Sequence, residues 1–207
     1  MSTVQLKTSF LLLLILFLFA CEKGPLFNVI ADEERSSLHF VIDTPIEFDQ
    51  IVDIRAGWGV PRPEGGQHNG IDIHANAGTK FIASSPGIII SVEDTQSVTK
   101  SNKNVFIMYN SEYILLYGFE PVKELAVAVG QNVRPGDTIG YIGGSTAKSD
   151  GIHLHFGLMK NNEYICPIPY LKEEVRKKFN EIYRSKPRPS NYPKNLCNCA
   201  EHQHLFD

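Results

Sequence analysis

The chain has 207 residues, of which 43% are hydrophobic and 21% charged, with a formal net charge of −3. Those proportions are those of a globular protein of one ordinary domain plus end segments, and they exclude a disordered or multispanning chain. The small negative charge and the lack of a basic cluster interleaved with aromatics argue against a nucleic-acid partner.

The first 21 residues stand apart. Lys7 precedes an eleven-residue apolar run from Phe10 to Ala20, which ends at Cys21. A bilayer takes roughly 20 apolar residues, so this run is short for a span and has the length of a secretory h-region. Leu18-Phe19-Ala20-Cys21 resembles the bacterial lipobox, although Phe19 is bulkier than that pattern prefers. Residues 1–21 therefore read as a lipoprotein signal, Cys21 as the lipidated residue, and the product as an exported protein anchored to a membrane by lipid. Residues 22–35 are polar and mixed, and read as a spacer.

From residue 36 to 171 short apolar runs recur between turn residues: Leu38–Ile42, Phe81–Ala83, Ile88–Val92, Val105–Tyr109, Tyr113–Tyr117, Thr138–Ile142 and His153–Leu158. Their β-branched and aromatic content predicts an antiparallel sandwich or barrel, with a hairpin turn at Asn110-Ser111-Glu112. One helix is predicted over residues 172–185, from the stripe Leu171, Val175, Phe179 and Ile182 at helical spacing. Lys186-Pro187-Arg188-Pro189-Ser190 then reads as a linker, and residues 186–207 as a Pro-containing, then Cys/His-rich tail.

Three cysteines besides Cys21 (Cys166, Cys197 and Cys199) leave at least one unpaired or paired between chains, so no disulfide framework holds the fold. Cys166 reads as a small buried residue. Cys197, Cys199, His202 and His204 are permissible metal ligands, but their spacing matches no standard structural site. The tail is expected to be a disordered end with a reactive or disulfide-bonded thiol.

Four of the seven histidines fall in two segments: Gly66-Gln67-His68-Asn69-Gly70-Ile71-Asp72-Ile73-His74 and Gly151-Ile152-His153-Leu154-His155-Phe156. Residues two apart on a strand share a face, so His153 and His155 project together while Leu154 and Phe156 turn to the core. A catalytic zinc is commonly held by three His, Asp or Glu side chains plus water. The two histidines and the His68/Asp72 pair supply such a set with one residue to spare. His74 shares the face of Asp72, and is expected to be an exposed strand-end histidine.

At these residues the chain resembles the lysostaphin/LytM-type zinc endopeptidases. The likeness runs over about residues 50–171. It takes in Gly57-Trp58-Gly59, Arg62-Pro63, Asn69-Gly70-Ile71-Asp72-Ile73, Gly78-Thr79, the stretch Gly130 to Gly140, and Gly143-Gly144-Ser145-Thr146 leading to His153-Leu154-His155-Phe156. The resemblance implies a mostly antiparallel β-fold with an open groove over a zinc ion, one C-terminal helix, and peptidoglycan peptide as substrate. It implies zinc ligands His68, Asp72 and His155, with His153 as a catalytic histidine beside the metal. One position departs. The family usually carries a Tyr-x-His whose His is a second catalytic residue, and here Tyr117-Gly118-Phe119 puts Phe119 in its place. Glu120, Tyr117 and His74 are the nearby residues able to move a proton instead. Three functions are thus left: a peptidoglycan endopeptidase slowed by the missing His, an impaired zinc-containing domain that binds peptidoglycan or regulates another wall hydrolase, or a zinc-sequestering or purely structural surface protein.

Overall fold

The computed structural model describes residues 40–62, 65–97, 100–144, 151–197, 199, 202 and 205. The signal segment, Cys21 and the spacer lie outside the described residues. Among the described residues no helix is long and apolar enough to cross a membrane.

Ten strands follow in chain order: β1 Ile51–Ala56, β2 Ile71–Ala75, β3 Lys80–Ile82, β4 Gly87–Ser97, β5 Lys100–Met108, β6 Tyr113–Phe119, β7 Asn132–Val133, β8 Thr138–Tyr141, β9 His153–Lys160 and β10 Glu163–Ile165. The main sheet runs β1-β2-β9-β6-β5-β4-β7, with β10 paired to β9, and its pairings are antiparallel. β3 and β8 form a separate two-stranded sheet. The predicted turn joins β5 to β6, where Asn110 Oδ1 accepts hydrogen bonds from the Glu112 and Tyr113 amides.

Alternation sorts the main sheet into two faces. Ile71 and Ile73 on β2, Leu154, Phe156 and Leu158 on β9, Leu115 and Tyr117 on β6, and Val105 and Ile107 on β5 are buried in one apolar core. The other face carries Asp72, His155, Gly118 and Asn104 in one row across four strands, because each pairs with the next in register. Register does the placing here: a slip of one residue would turn the row into the core.

The helix α1 spans Glu173–Arg184 and buries Val175, Phe179, Asn180 and Tyr183. Glu173 and Glu174 in its first turn and Arg184 in its last complement the helix dipole. Of the first predicted run only residues 40–42 are described, and they form no strand: Ile42 makes a parallel bridge to Leu171, and Phe40 stacks on Tyr113 and meets Tyr109 at a tilt.

The tail departs further from expectation. Arg188 reaches both oxygens of Asp53 on β1 at 3.0 and 2.6 Å, and Pro193 accepts a hydrogen bond from the Tyr183 hydroxyl. The Leu196 amide donates to Asn180 Oδ1, and Leu196 and Cys197 are fully buried. Apolar burial at Leu196 and Cys197, together with a bidentate Arg–carboxylate pair, orders a segment whose composition reads as linker.

Candidate metal centre

The groove above the polar face encloses about 550 Å³ and is lined by His68, Asp72, His74, His153, His155 and neighbours from the β5 and β6 strands. Asp72 sits on β2 directly opposite His155 on β9, and His74 sits opposite His153. His68 arrives from the connection before β2. Two backbone hydrogen bonds clamp it there, from the Gly59 amide to the His68 carbonyl and from the His68 amide to the Val60 carbonyl, each 2.8 Å.

Three donor atoms converge. His68 Nε2 lies 3.0 Å from Asp72 Oδ1, His155 Nδ1 lies 2.9 Å from the same oxygen, and the two nitrogens are 3.1 Å apart. His68 Nδ1 is 2.9 Å from the Gly57 carbonyl oxygen, which can only accept, so Nδ1 carries the proton. In the neutral ring, Nε2 then aims a lone pair at a carboxylate oxygen. Two lone pairs at 3.0 Å repel, and a cation between them resolves the conflict. Burial alone would raise the Asp72 pKa, but the neighbouring His155 and His68 rings hold it well below the usual carboxylate range. An anionic carboxylate and two imidazole nitrogens at these separations are a donor set that fits zinc.

Gly70 makes the convergence possible. A Cβ there would lie 2.6 Å from the Phe156 carbonyl oxygen and 2.7 Å from His155 Cε1, so no larger residue fits between the His68 connection and β9. On the other side of His155, Gly118 leaves room for its ring; a Cβ there would meet the His155 Cβ at 3.5 Å.

His153 stands beside the three donors, with Nε2 3.9 Å from Asp72 Oδ1. Its Nδ1 donates to the Gly151 carbonyl at 3.0 Å, which leaves Nε2 as the basic nitrogen of the neutral ring. His74 is not the exposed strand-end residue expected. It is half-buried, lines the groove, and stacks on His153 with ring centroids 5.2 Å apart. Burial, and after it the charges of His153 and Arg55, push its pKa down to about 4, so it is neutral near pH 7.

Phe119 borders the groove but pairs with Leu154, which places its side chain on the core face of β6. It packs on Phe81 at 4.5 Å and is 4% exposed. Tyr117 is fully buried, and its hydroxyl hydrogen-bonds the Ser84 amide and hydroxyl; burial raises its pKa to about 12. Tyr117 therefore has no access to the groove. Glu120 does line the groove, on the face that alternation gives to Gly118.

Two contributors carry no signature at the level of residue type. The Gly57 carbonyl orients His68 through its main chain, and Tyr192 joins the groove wall from the tail. Only the placing of Gly57 near His68 in sequence hinted at the first.

Residues 66–167 match the model of peptidase family M23. The glycyl-glycine endopeptidase ALE-1 of Staphylococcus capitis is 32% identical over 112 residues, 52% of this chain and 30% of its own length. The peptidoglycan DD-endopeptidase ShyC of Vibrio cholerae is 33% identical over 101 residues, 48% of this chain and 22% of its own length. Among solved structures, Csd3 of Helicobacter pylori superposes with a TM-score of 0.50 at 28% identity, covering 64% of this chain and 33% of that one. The matched stretch thus spans between 22% and 33% of these relatives' own lengths. With the mostly antiparallel β-fold, a single helix near the C-terminus, and the His-Asp-His convergence at the groove floor, residues 66–167 are a domain of peptidase family M23.

Proposed function

We propose that the chain is a zinc endopeptidase that cuts peptide cross-links of cell-wall peptidoglycan, exported and held to a membrane through lipid on Cys21. The observation that carries this reading is the meeting of His68 Nε2, Asp72 Oδ1 and His155 Nδ1 within 3.1 Å of one another at the floor of an open groove. ALE-1 and ShyC, whose names describe endopeptidases, support the substrate class.

Zinc bound by these three residues would supply a Lewis acid for the scissile carbonyl and lower the pKa of water toward ~7. The chain's own groups do the rest. His153 Nε2, with Nδ1 tied to the Gly151 carbonyl, can take a proton at one face of the reacting carbon and return it to the leaving amine. His74, stacked on His153 and uncharged, keeps that ring in its plane and stands where it can pass the proton onward. Asp72 would bring one negative charge to the metal, joined there by His68 Nε2 and His155 Nδ1.

A second reading has its own observation. Phe119, in the position where the family's second catalytic histidine is expected, is packed on Phe81 and has no proton to move. On that reading the domain holds zinc and binds peptidoglycan, or regulates another hydrolase, without cutting. The test is incubation of residues 22–207 with purified peptidoglycan, with and without a chelator. New muropeptides only in the chelator-free sample support the endopeptidase. Zinc-dependent sedimentation with the wall and no new products supports the second reading.

A further inference from the structure

A second cluster of metal-ligating side chains lies outside the groove. Cys166 follows β10, and Cys197, Cys199 and His202 come from the tail, yet their four ligand atoms all lie within 4.8 Å of one another. Cys166 Sγ and Cys197 Sγ are 3.0 Å apart, and Cys197 Sγ is 4.0 Å from His202 Nδ1. Cys166 and Cys197 are buried, while Cys199 and His202 are partly exposed, so the cluster opens toward solvent on one side.

We propose that Cys166, Cys197, Cys199 and His202 form a second, structural zinc site that pins the C-terminal tail to the domain. Four donors around one zinc, at ~2.3 Å from sulfur and ~2.0 Å from nitrogen, stand roughly 3.5–3.8 Å apart. The cluster needs only sub-ångström to ångström adjustments to reach that spacing. Three sulfurs and one imidazole form a closed tetrahedral set, the composition of structural rather than catalytic sites, and soft thiolates select zinc over magnesium or calcium.

The site has a structural target. Cys197 bridges Trp58, and Leu196 presses on Gly57 so closely that a Cβ on Gly57 would sit 1.8 Å from the Leu196 carbonyl oxygen. The Gly57 carbonyl in turn accepts the hydrogen bond from His68 Nδ1. Metal at the second site therefore holds Leu196 on Gly57, and through Gly57 the ring of His68. The competing chemistry is a Cys166–Cys197 disulfide, which would consume two of the four ligands.

The test uses the full chain, purified in reductant without chelator, and its His155→Ala variant, which disables the groove site. The natural chain is expected to carry two zinc ions and His155→Ala one. Chelator should then lower the melting temperature of His155→Ala by about 5–10 °C, the shift for a ligand present at ~100 times its Kd. Cobalt(II) loading should give thiolate-to-metal charge-transfer absorption in both chains, because the groove site offers no sulfur. That band should vanish in Cys199→Ser and weaken in His202→Ala. A His155→Ala chain without zinc and without the cobalt band overturns the proposal. So does a non-reduced chain whose mass and peptide map show a Cys166–Cys197 disulfide that persists in the purified protein. Failure of the groove reading looks different: zinc content would then be the same in the natural and His155→Ala chains.

Discussion

Replacing Gly70 with alanine adds one methyl group at the tightest point of the metal centre. The new Cβ would lie 2.6 Å from the Phe156 carbonyl oxygen and 2.7 and 2.8 Å from His155 Cε1 and Nε2. Relief requires the Asn69–Gly70 backbone to retreat from β9 by roughly half an ångström or more, since ordinary carbon–oxygen contacts begin above 3 Å. His68 lies two residues before Gly70 and Asp72 two after, so both move relative to His155. Overpacking of this kind costs about 1–3 kcal/mol in stability, or roughly 2–12 °C in melting temperature for a domain of this size. The effect on metal is sharper. Disturbing the groups that orient zinc ligands typically lowers affinity about 10–100-fold, and that is the expected rise in zinc Kd. Competition against a chromophoric chelator measures it on the Cys199→Ser background, so that only the groove site is read, with circular dichroism to establish that the variant is folded. Gly118→Ala serves as the comparison, because its Cβ would meet the side-chain oxygen of Asn104 at 3.0 Å and make only ordinary contacts with His155 Cβ at 3.5 Å and Cδ2 at 3.8 Å; less than a threefold change is expected there. A folded Gly70→Ala chain with unaltered zinc affinity would show that His155 is not held where the groove geometry has it.

Three further outcomes are expected. His68→Ala, Asp72→Ala and His155→Ala should each lose the groove zinc by elemental analysis while His153→Ala keeps it, because three ligands set the affinity; equal loss with His153→Ala would overturn the ligand assignment. Phe119→His should melt about 4–8 °C lower, from roughly 2 kcal/mol of lost apolar burial, yet cleave peptidoglycan at least ~10-fold faster as the polar ring turns from Phe81 into the groove that residue 119 borders. No gain in a folded, zinc-loaded variant whose parent is already fast would assign the missing step to His74. Cys21→Ser should shift the protein from the membrane fraction to the soluble exported fraction, since two or three acyl chains hold firmly where one is marginal; a natural chain that is soluble and starts elsewhere would end the lipid-anchor reading.

Much of the sheet was legible because its strands obey alternation. His153-Leu154-His155-Phe156 announces its two faces residue by residue, and the structure buries Leu154 and Phe156 while exposing the histidines to the groove. β1 and β10 were not legible, because Asp53 and Arg55 break the apolar run in one and Glu163-Tyr164-Ile165 is too short and polar in the other. The side to which Phe119 points depends on pairing with Leu154, a long-range fact that composition does not carry. Neither does the partnership of Cys166 with the tail, since 31 residues separate it from Cys197 and helix α1 lies between them. The linker reading of Lys186 to Ser190 followed proline content, whereas the outcome was decided by Asp53 waiting on β1 for Arg188.

The pairing of β2 with β9 also sets when the chain can hold metal. Asp72 and His155 are 83 residues apart, and between them lie six strands of two sheets. Before those strands assemble, the chain presents only His68 and Asp72 near each other, a two-point grip with no third arm. Closing so large a loop carries an entropic cost that local contacts do not offset, so this contact belongs among the late events of folding. Metal capture at the groove is then a checkpoint on topology: a chain stalled with β6 and β9 apart, or paired out of register, offers the ion a broken claw and lets it go.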